Sequence, residues 1–192
     1  IGRLDPETGA TRTWEVPVDH ARPYGIVLDS SHRPWVALLG TNALATIAGG
    51  TLETVTLPRR QARPRRLAVV DGSIWYVDYA EGHLGVYDPK TQDIREWRSP
   101  AGPDAQPYGM AADPRGRIWY VETGPQPNRW IGFDTGEERF IADRAVPDSG
   151  GAIRHMVYDS ARNAVWFGMD TNYIGCAALD AAAGEERCKA VQ

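Results

Sequence analysis

Several features are scarce in this chain, and each scarcity argues against a class of protein. No apolar stretch approaches the roughly 18 residues of a membrane span. No segment keeps a 3.6-residue hydrophobic period, which predicts almost no helix. Lysine occurs only at Lys90 and Lys189 against 19 arginines, and the net charge is −4. That charge balance argues against a general nucleic-acid binder, so we expect no nucleic-acid partner.

The two cysteines, Cys176 and Cys188, leave more than one interpretation open. If residues 174–180 and 185–191 form a hairpin, the two thiols face each other at a spacing that suits a disulfide. Such a bond predicts an oxidising compartment, and hence a periplasmic or secreted protein. Two buried free thiols are the alternative. A zinc site is disfavoured because no histidine accompanies the pair.

A short pattern that occurs four times dominates what is present. It runs from a start of the Pro-Tyr-Gly-Ile type through a turn with aspartate to a strand with a central tryptophan. The tryptophans follow one another at intervals of 40, 44 and 47 residues, at Trp35, Trp75, Trp119 and Trp166. A period of about 40–50 residues with four short strands is typical of a β-propeller blade. We therefore predict an all-β propeller in which each tryptophan packs between neighbouring blades.

The repeat also predicts the domain organisation. One propeller domain spans 1–192, with a half blade over 1–19 and blades over 20–58, 59–99, 100–147 and 148–192. This gives about four and a half four-stranded blades. Because an unpaired blade edge is a liability, we expect the chain to be a fragment of a larger propeller that is monomeric when complete.

Several motifs resemble one known family. They are Ile1-Gly2-Arg3-Leu4-Asp5-Pro6, Arg22-Pro23-Tyr24-Gly25-Ile26, Ile74-Trp75-Tyr76-Val77-Asp78, Gln106-Pro107-Tyr108-Gly109-Met110, Arg117-Ile118-Trp119-Tyr120-Val121-Glu122 and Ile174-Gly175. Together they resemble the virginiamycin B lyase (streptogramin lyase) family of seven-bladed β-propellers. The resemblance implies a carbon–oxygen lyase that opens a cyclic depsipeptide by elimination across its ester and needs Mg²⁺. It also implies catalytic His and Glu residues at the start of the innermost strand of a blade.

The positions that match the family's catalytic residues hold other side chains here. The positions that match its His residues carry Tyr24, Arg65, Tyr108 and Arg154. Those that match its Glu residues carry Arg22, Arg63, Gln106 and Ala152. The nearest imidazole is that of His155, one position later in its repeat.

A propeller gathers equivalent loops of all its blades at one mouth, so the site can be predicted residue by residue. As catalytic groups we predict His155, Tyr108 and Tyr24, with His155 as the best candidate for a general base. The predicted ligand-binding residues are Arg22, Arg63, Arg65, Arg154, Asn128 and Asn172. Mg²⁺ would be bound by Asp78, Glu122 and Asp170. Alternatively, these arginines and carboxylates pair with each other in a structural network between blades.

Two functions fit this mouth. One is a lyase that acts, with metal assistance, on an ester, lactone or cyclic depsipeptide. The other is a non-catalytic secreted or periplasmic propeller that recognises an anionic or peptide-like ligand through arginine and tyrosine. A calcium-dependent lactonase ranks last, because arginine and tyrosine occupy the positions where it needs metal ligands.

Overall fold

The computed structural model describes residues 1–147, 151–179 and 188. Almost all regular structure in this part of the chain is β-strand, and one short 3-10 turn spans Gly102–Asp104. No helix in the described residues could cross a membrane. The strands of these residues, β1 to β17 in chain order, are Gly2–Leu4, Thr11–Thr13, Pro23–Leu28, Pro34–Leu38, Ala43–Ala48, Thr51–Thr56, Pro64–Val70, Ser73–Asp78, His83–Tyr87, Ile94–Arg98, Pro107–Ala112, Arg117–Glu122, Arg129–Asp134, Arg139–Ala145, Ile153–Asp159, Ala164–Met169 and Ile174–Ala178.

The described strands form antiparallel sheets of neighbours in sequence. Strands β1 and β2 make a two-stranded sheet, and β3–β6, β7–β10 and β11–β14 make four-stranded sheets. A further sheet holds β15–β17. The first strand of each larger sheet, which we call its inner strand, lies beside the inner strand of the next sheet: β3 by β7, β7 by β11, and β11 by β15. This arrangement confirms the predicted all-β propeller. The predicted outer strand over 185–191 lies outside the described residues, and the blade boundaries stay predictions.

Aspartates hold three of the repeated tryptophans in place. The indole Nε1 donates to the aspartate of the preceding turn, from Trp35 to Asp29 at 3.2 Å, from Trp119 to Asp113 at 2.9 Å and from Trp166 to Asp159 at 3.1 Å. In the sheet β7–β10, Trp75 instead stacks on Trp97 and lies 5.6 Å from the ring of Phe133 in the next sheet. Trp35 likewise lies 5.5 Å from Tyr87 in the next sheet. The prediction that the tryptophans pack between blades is confirmed for Trp35 and Trp75.

The two cysteines form the predicted disulfide. Cys176 lies on β17, and its Cα is 5.6 Å from that of Cys188. This bond decides between the alternatives that the sequence left open, disulfide, free thiols or zinc, in favour of the first.

The double replacement Cys176→Ser with Cys188→Ser is expected to lower the free energy of unfolding by about 2–3 kcal/mol, because the bond closes a loop of 12 residues. Urea denaturation measures this loss. Reductant should cause the same loss in the wild type and none in the double variant. Full stability of the reduced wild type would show that the bond contributes nothing.

Candidate functional site

The inner strands carry a β-bulge at the same place in every larger sheet. The pairing of each inner strand with its neighbour shifts register after Pro23, Pro64, Pro107 and Ile153. The residues inside these bulges include Tyr24, Arg65, Tyr108 and Arg154. A bulge re-aims side chains and is common next to active sites. The mouth, by which we mean the end of the molecule where inner strands begin, is therefore built from four irregular strand starts.

Two tyrosines and three arginines meet at this mouth. The hydroxyls of Tyr24 and Tyr108 are 2.5 Å apart, although 84 residues separate them. Arg154 Nη1 donates to the Tyr108 hydroxyl at 3.4 Å. The guanidinium of Arg65 lies 4.3 Å from the ring centre of Tyr108, and that of Arg66 lies 5.0 Å from the ring centre of Tyr24. We call these five residues the tyrosine–arginine cluster.

The two phenols of the cluster are not equivalent. Burial raises the pKa of Tyr108, but hydrogen bonds from Tyr24 and Arg154 and the positive charges of Arg65 and Arg154 outweigh it, so that its pKa falls below the ordinary value. The hydrogen bond to Tyr108 raises the pKa of Tyr24. Tyr108 is only 3% exposed, whereas Tyr24 is 40% exposed. Tyr108 is thus the phenol that ionises first, and Tyr24 is the one that a ligand can touch.

The predicted network between arginines and carboxylates forms only in part. Arg154 makes a bidentate pair with Asp170, with Nε–Oδ1 at 3.2 Å and Nη2–Oδ2 at 3.0 Å. Asp78 is fully buried and pairs with Arg59 instead, at 2.9 Å, while its other oxygen accepts the main-chain N–H of Arg63 at 2.7 Å. No carboxylate of the described residues pairs with the side chain of Arg63 or Arg65.

The three carboxylates predicted to bind Mg²⁺ are not brought together. Asp170 is held by Arg154, Asp78 is held by Arg59 and main-chain amides, and Glu122 is buried beneath the mouth. No group of three or more His, Cys, Asp or Glu side chains in the described residues is placed to hold a metal ion. The described structure therefore does not gather these three carboxylates into one Mg²⁺ site. Their assignment as Mg²⁺ ligands, and Mg²⁺ itself, stay predictions.

Glu122 belongs to a buried polar group. Its Oε1 accepts a hydrogen bond from the Ser99 hydroxyl at 2.5 Å and from the Ala101 amide at 3.0 Å. Its Oε2 is buried and has no hydrogen-bond partner. Burial raises the pKa of the Glu122 carboxyl, and the two hydrogen bonds oppose this only in part. Folding therefore favours the protonated form of Glu122 relative to the unfolded chain.

Glu122→Gln is expected to weaken the pH dependence of stability. Because the folded-state pKa is raised, Glu122 binds its proton more tightly in the folded protein, and its contribution to stability falls as pH rises from the unfolded-state pKa through the folded one. Between acid and neutral pH, the free energy of unfolding of the variant should rise by on the order of 1 kcal/mol relative to that of the wild type. Urea denaturation at several pH values measures this, with the exposed Glu137→Gln as control. Equal pH slopes for Glu122→Gln and wild type would contradict the prediction.

Three further predicted site residues are His155, Asn128 and Asn172. His155 follows Arg154 on β15 and is exposed, and its imidazole makes no hydrogen bond or ion pair with the residues that the structure describes. Asn128 is buried and donates to the carbonyls of Thr123 and Pro125 in its own loop. Asn172 is exposed in the β16–β17 turn with a φ of +67°. The predicted roles of these three side chains stay predictions.

Two contributors received no assigned role from the sequence. Arg66 donates from Nε to the carbonyl of Arg154 at 2.9 Å and thereby links β7 to β15. Tyr79 lies against Arg65, whose guanidinium is 3.6 Å from its ring centre. Both stand next to predicted residues, and Arg66 occupies the repeat position of Gly25 and Gly109. A large cation at a position that is glycine in two other blades was the available signal.

Comparison with known proteins gives a sequence relative and solved structures of similar fold. No protein-family model matches the chain. A curated virginiamycin B lyase of Nocardia farcinica (strain IFM 10152) is 32% identical over 100 residues, which are 52% of this chain and 34% of that protein. The chain therefore matches only about a third of this relative's length.

Solved structures agree with this. A streptogramin B lyase structure has a TM-score of 0.71 at 21% identity and covers 88% of this chain and 59% of its own. A catalytically inactive His-to-Ala variant of virginiamycin B lyase from Staphylococcus aureus, crystallised with quinupristin, has a TM-score of 0.69 at 22% identity and covers 88% of this chain and 60% of its own. At these identities the two structures establish the fold alone.

Proposed function

We propose, from the premise that this chain is a virginiamycin B lyase-like propeller, that its mouth performs a carbon–oxygen elimination that opens an ester, lactone or cyclic depsipeptide. The observation that carries the proposal is the 2.5 Å contact between Tyr24 and Tyr108, in which the exposed phenol has the raised pKa and the buried phenol the lowered one. Two phenols in this state can move a proton between a ligand and the interior. The two phenols would then remove the substrate proton, a role that the resemblance implies for a histidine.

The elimination can be written with the side chains at hand. Tyr24 removes a proton from the carbon next to a carbonyl and passes its own proton to ionised Tyr108. The electron pair of the broken C–H bond forms a C=C bond, and the neighbouring C–O bond breaks with its pair leaving on a carboxylate. Arg66 and Arg154 lie close enough to the two phenols to stabilise the negative charge that develops. No water is consumed.

Product analysis tests this reaction. The chain is incubated with a panel of cyclic depsipeptides, including quinupristin, and lactones, and the products are examined by mass spectrometry. Elimination yields an opened product of unchanged mass with a new C=C bond, whereas hydrolysis adds the mass of one water. Absence of an opened product, or a product that has gained water, would overturn the proposal.

A second candidate function is recognition without turnover, and one observation favours it. Arg65 packs against two aromatic rings and pairs with no carboxylate of the described residues, so its charge is available to an anionic or peptide-like ligand. Calorimetric binding of quinupristin with no change in its mass would identify this function. Arg65→Glu and Arg154→Glu should then abolish binding, while Arg139→Glu, on the exposed outer strand β14, should not.

We also propose that the protein is secreted or periplasmic. The disulfide supports this, because such bonds persist in oxidising compartments. Fractionation of the source cells, followed by detection of the chain, tests the location. Recovery in the cytoplasm with reduced thiols would contradict it.

A further inference from the structure

A recess opens at the mouth beside Arg65 of the tyrosine–arginine cluster. It has a volume of about 370 Å³, and its side chains come from the loop before β3, the loop before β7, β7 itself and the loop after β8. We call it the arginine pocket, and its polar side chains are His20, Arg22, Arg63, Arg65 and Tyr79.

The positive charge of this pocket is not balanced. No acidic residue lines it among those that the structure describes. Arg63 uses one guanidinium nitrogen on the carbonyls of Arg60 and Ala62, and Arg22 and Arg65 make no ion pair with any described carboxylate. By contrast, Arg59 and Arg154 at the same mouth each face carboxylates. Like charges gathered in one recess repel each other unless an anion joins them.

The pocket is also held in shape before any ligand arrives. The rings of Tyr79 and Tyr108 meet edge to face with their centres 5.9 Å apart. The Arg65 guanidinium packs into the corner between them, 3.6 Å from the ring centre of Tyr79 and 4.3 Å from that of Tyr108, and its buried Nε has no hydrogen-bond partner. The Tyr79 hydroxyl donates to Gln106 Oε1 at 3.1 Å, which fixes one side of this corner. A guanidinium that is already packed in this way has little conformational freedom left to lose when a ligand binds, which favours affinity.

The backbone of the pocket follows a geometry that recurs in another blade. Arg22 has a φ of +49°, and Gln106 at the equivalent position has a φ of +47°. Gly40 lies so close to the His20 carbonyl that a Cβ there would be 1.7 Å from its oxygen, and Gly124 lies equally close to the Asp104 carbonyl. The loop shape therefore belongs to the repeat, and the arginine side chains are what distinguish this pocket.

We infer that the arginine pocket binds a tetrahedral dianion, the phosphate group of a phosphate monoester. Guanidinium groups match phosphate oxygens with paired N–H donors. Here three guanidinium groups, of Arg22 before β3, of Arg63 just before β7 and of Arg65 on β7, line one recess, which suits an anion with three terminal oxygens better than a planar carboxylate with two. The volume leaves room for a small substituent beyond the phosphate. The inference does not depend on the proposed elimination, because neither Tyr24 nor the Tyr108 hydroxyl takes part.

Calorimetry with inorganic phosphate and glycerol phosphate tests the inference, in a phosphate-free buffer at low salt and with acetate as the carboxylate probe. Both phosphates should bind, and acetate should bind at least about tenfold more weakly. Arg22→Gln and Arg63→Gln should each weaken phosphate binding about tenfold or more. Arg95→Gln removes an exposed cation on the outer strand β10 and should leave it unchanged.

Two results would overturn the inference: acetate that binds as tightly as phosphate, or Arg22→Gln with wild-type affinity. The melting temperature of each variant shows whether it is folded, and Arg22 is exposed and outside every strand, so its replacement should not unfold the protein. Elimination activity measured in parallel without phosphate separates the two proposals. A chain that binds phosphate without opening a depsipeptide retains this inference and loses the other.

Discussion

Tyr108→Phe is expected to lower the rate of ring opening by about 100-fold or more, which is the usual effect of removing a general base or its proton acceptor. The variant keeps the aromatic ring that Arg65 packs against and loses only the hydroxyl that Tyr24 and Arg154 contact. The wild-type rate should rise with pH with a midpoint below pH 10, because the pKa of Tyr108 lies below its ordinary value of 10.0. Steady-state rates from pH 6 to 10 measure both effects.

The control for this prediction is Tyr87→Phe, which removes a hydroxyl from β9, away from the mouth. It should show the wild-type rate and pH profile, while Tyr24→Phe should lose as much activity as Tyr108→Phe because the relay needs both phenols. Loss of one hydrogen-bonded hydroxyl costs about 1 kcal/mol of stability, so Tyr24→Phe and Tyr108→Phe should both be folded at 25 °C. A Tyr108→Phe variant with the wild-type rate would remove the tyrosine pair from the mechanism.

Arg59→Met is expected to destabilise the fold by about 3–5 kcal/mol, the cost of leaving a buried charge without its partner. Arg59 reaches the buried Asp78 at 2.9 Å, Glu96 at 2.9 Å and Glu81 at 3.3 Å, so one cation balances three carboxylates. Methionine keeps most of the length of the side chain and removes only the charge. Urea denaturation gives the difference in free energy of unfolding.

Arg95→Met provides the matched control, because Arg95 is 55% exposed and its pair with Glu138 lies on the surface. Its loss should cost no more than about 1 kcal/mol. Asp78→Asn in the Arg59→Met background should recover part of the stability, since the uncompensated charge is then gone. Equal losses for Arg59→Met and Arg95→Met, or no recovery in the double variant, would show that the buried pair is not coupled as described.

Most of the fold could be predicted because its causes are local. Alternating apolar residues, turns with aspartate or glycine, and tryptophans about 40–50 residues apart predict strands and blades without knowledge of distant contacts. The pairing of Cys176 with Cys188 was one of the alternatives that the sequence offered, through a hairpin predicted over residues 174–191, and the structure shows the bond. Three of the four aspartates predicted to lie in turns also hold the indole of the following tryptophan. That role depends on how each turn folds back over its own sheet.

The candidate site could be predicted only in part, because it depends on distances between sheets. The sequence grouped Tyr24, Arg65, Tyr108 and Arg154 as equivalent positions, and the structure brings them together. It did not predict that Asp78 is buried against Arg59 or that Glu122 is buried with Ser99. Strand alternation predicts the face of the sheet on which a side chain lies, but how deeply that side chain is buried depends on the elements packed around it.

The sequence by itself determined that this protein is a propeller with arginine and tyrosine where inner strands begin, because repeated patterns fix both the strands and the equivalence of their starts. Tertiary structure alone decided which of these side chains act together. The bulges turn Tyr24 and Tyr108 towards each other across an intervening sheet, and contacts within single sheets assign a carboxylate to Arg59 and Arg154 but none of the described ones to Arg22 or Arg65. Charge balance and proton sharing depend on distances of a few ångströms between residues far apart in the chain, and no local pattern records those distances.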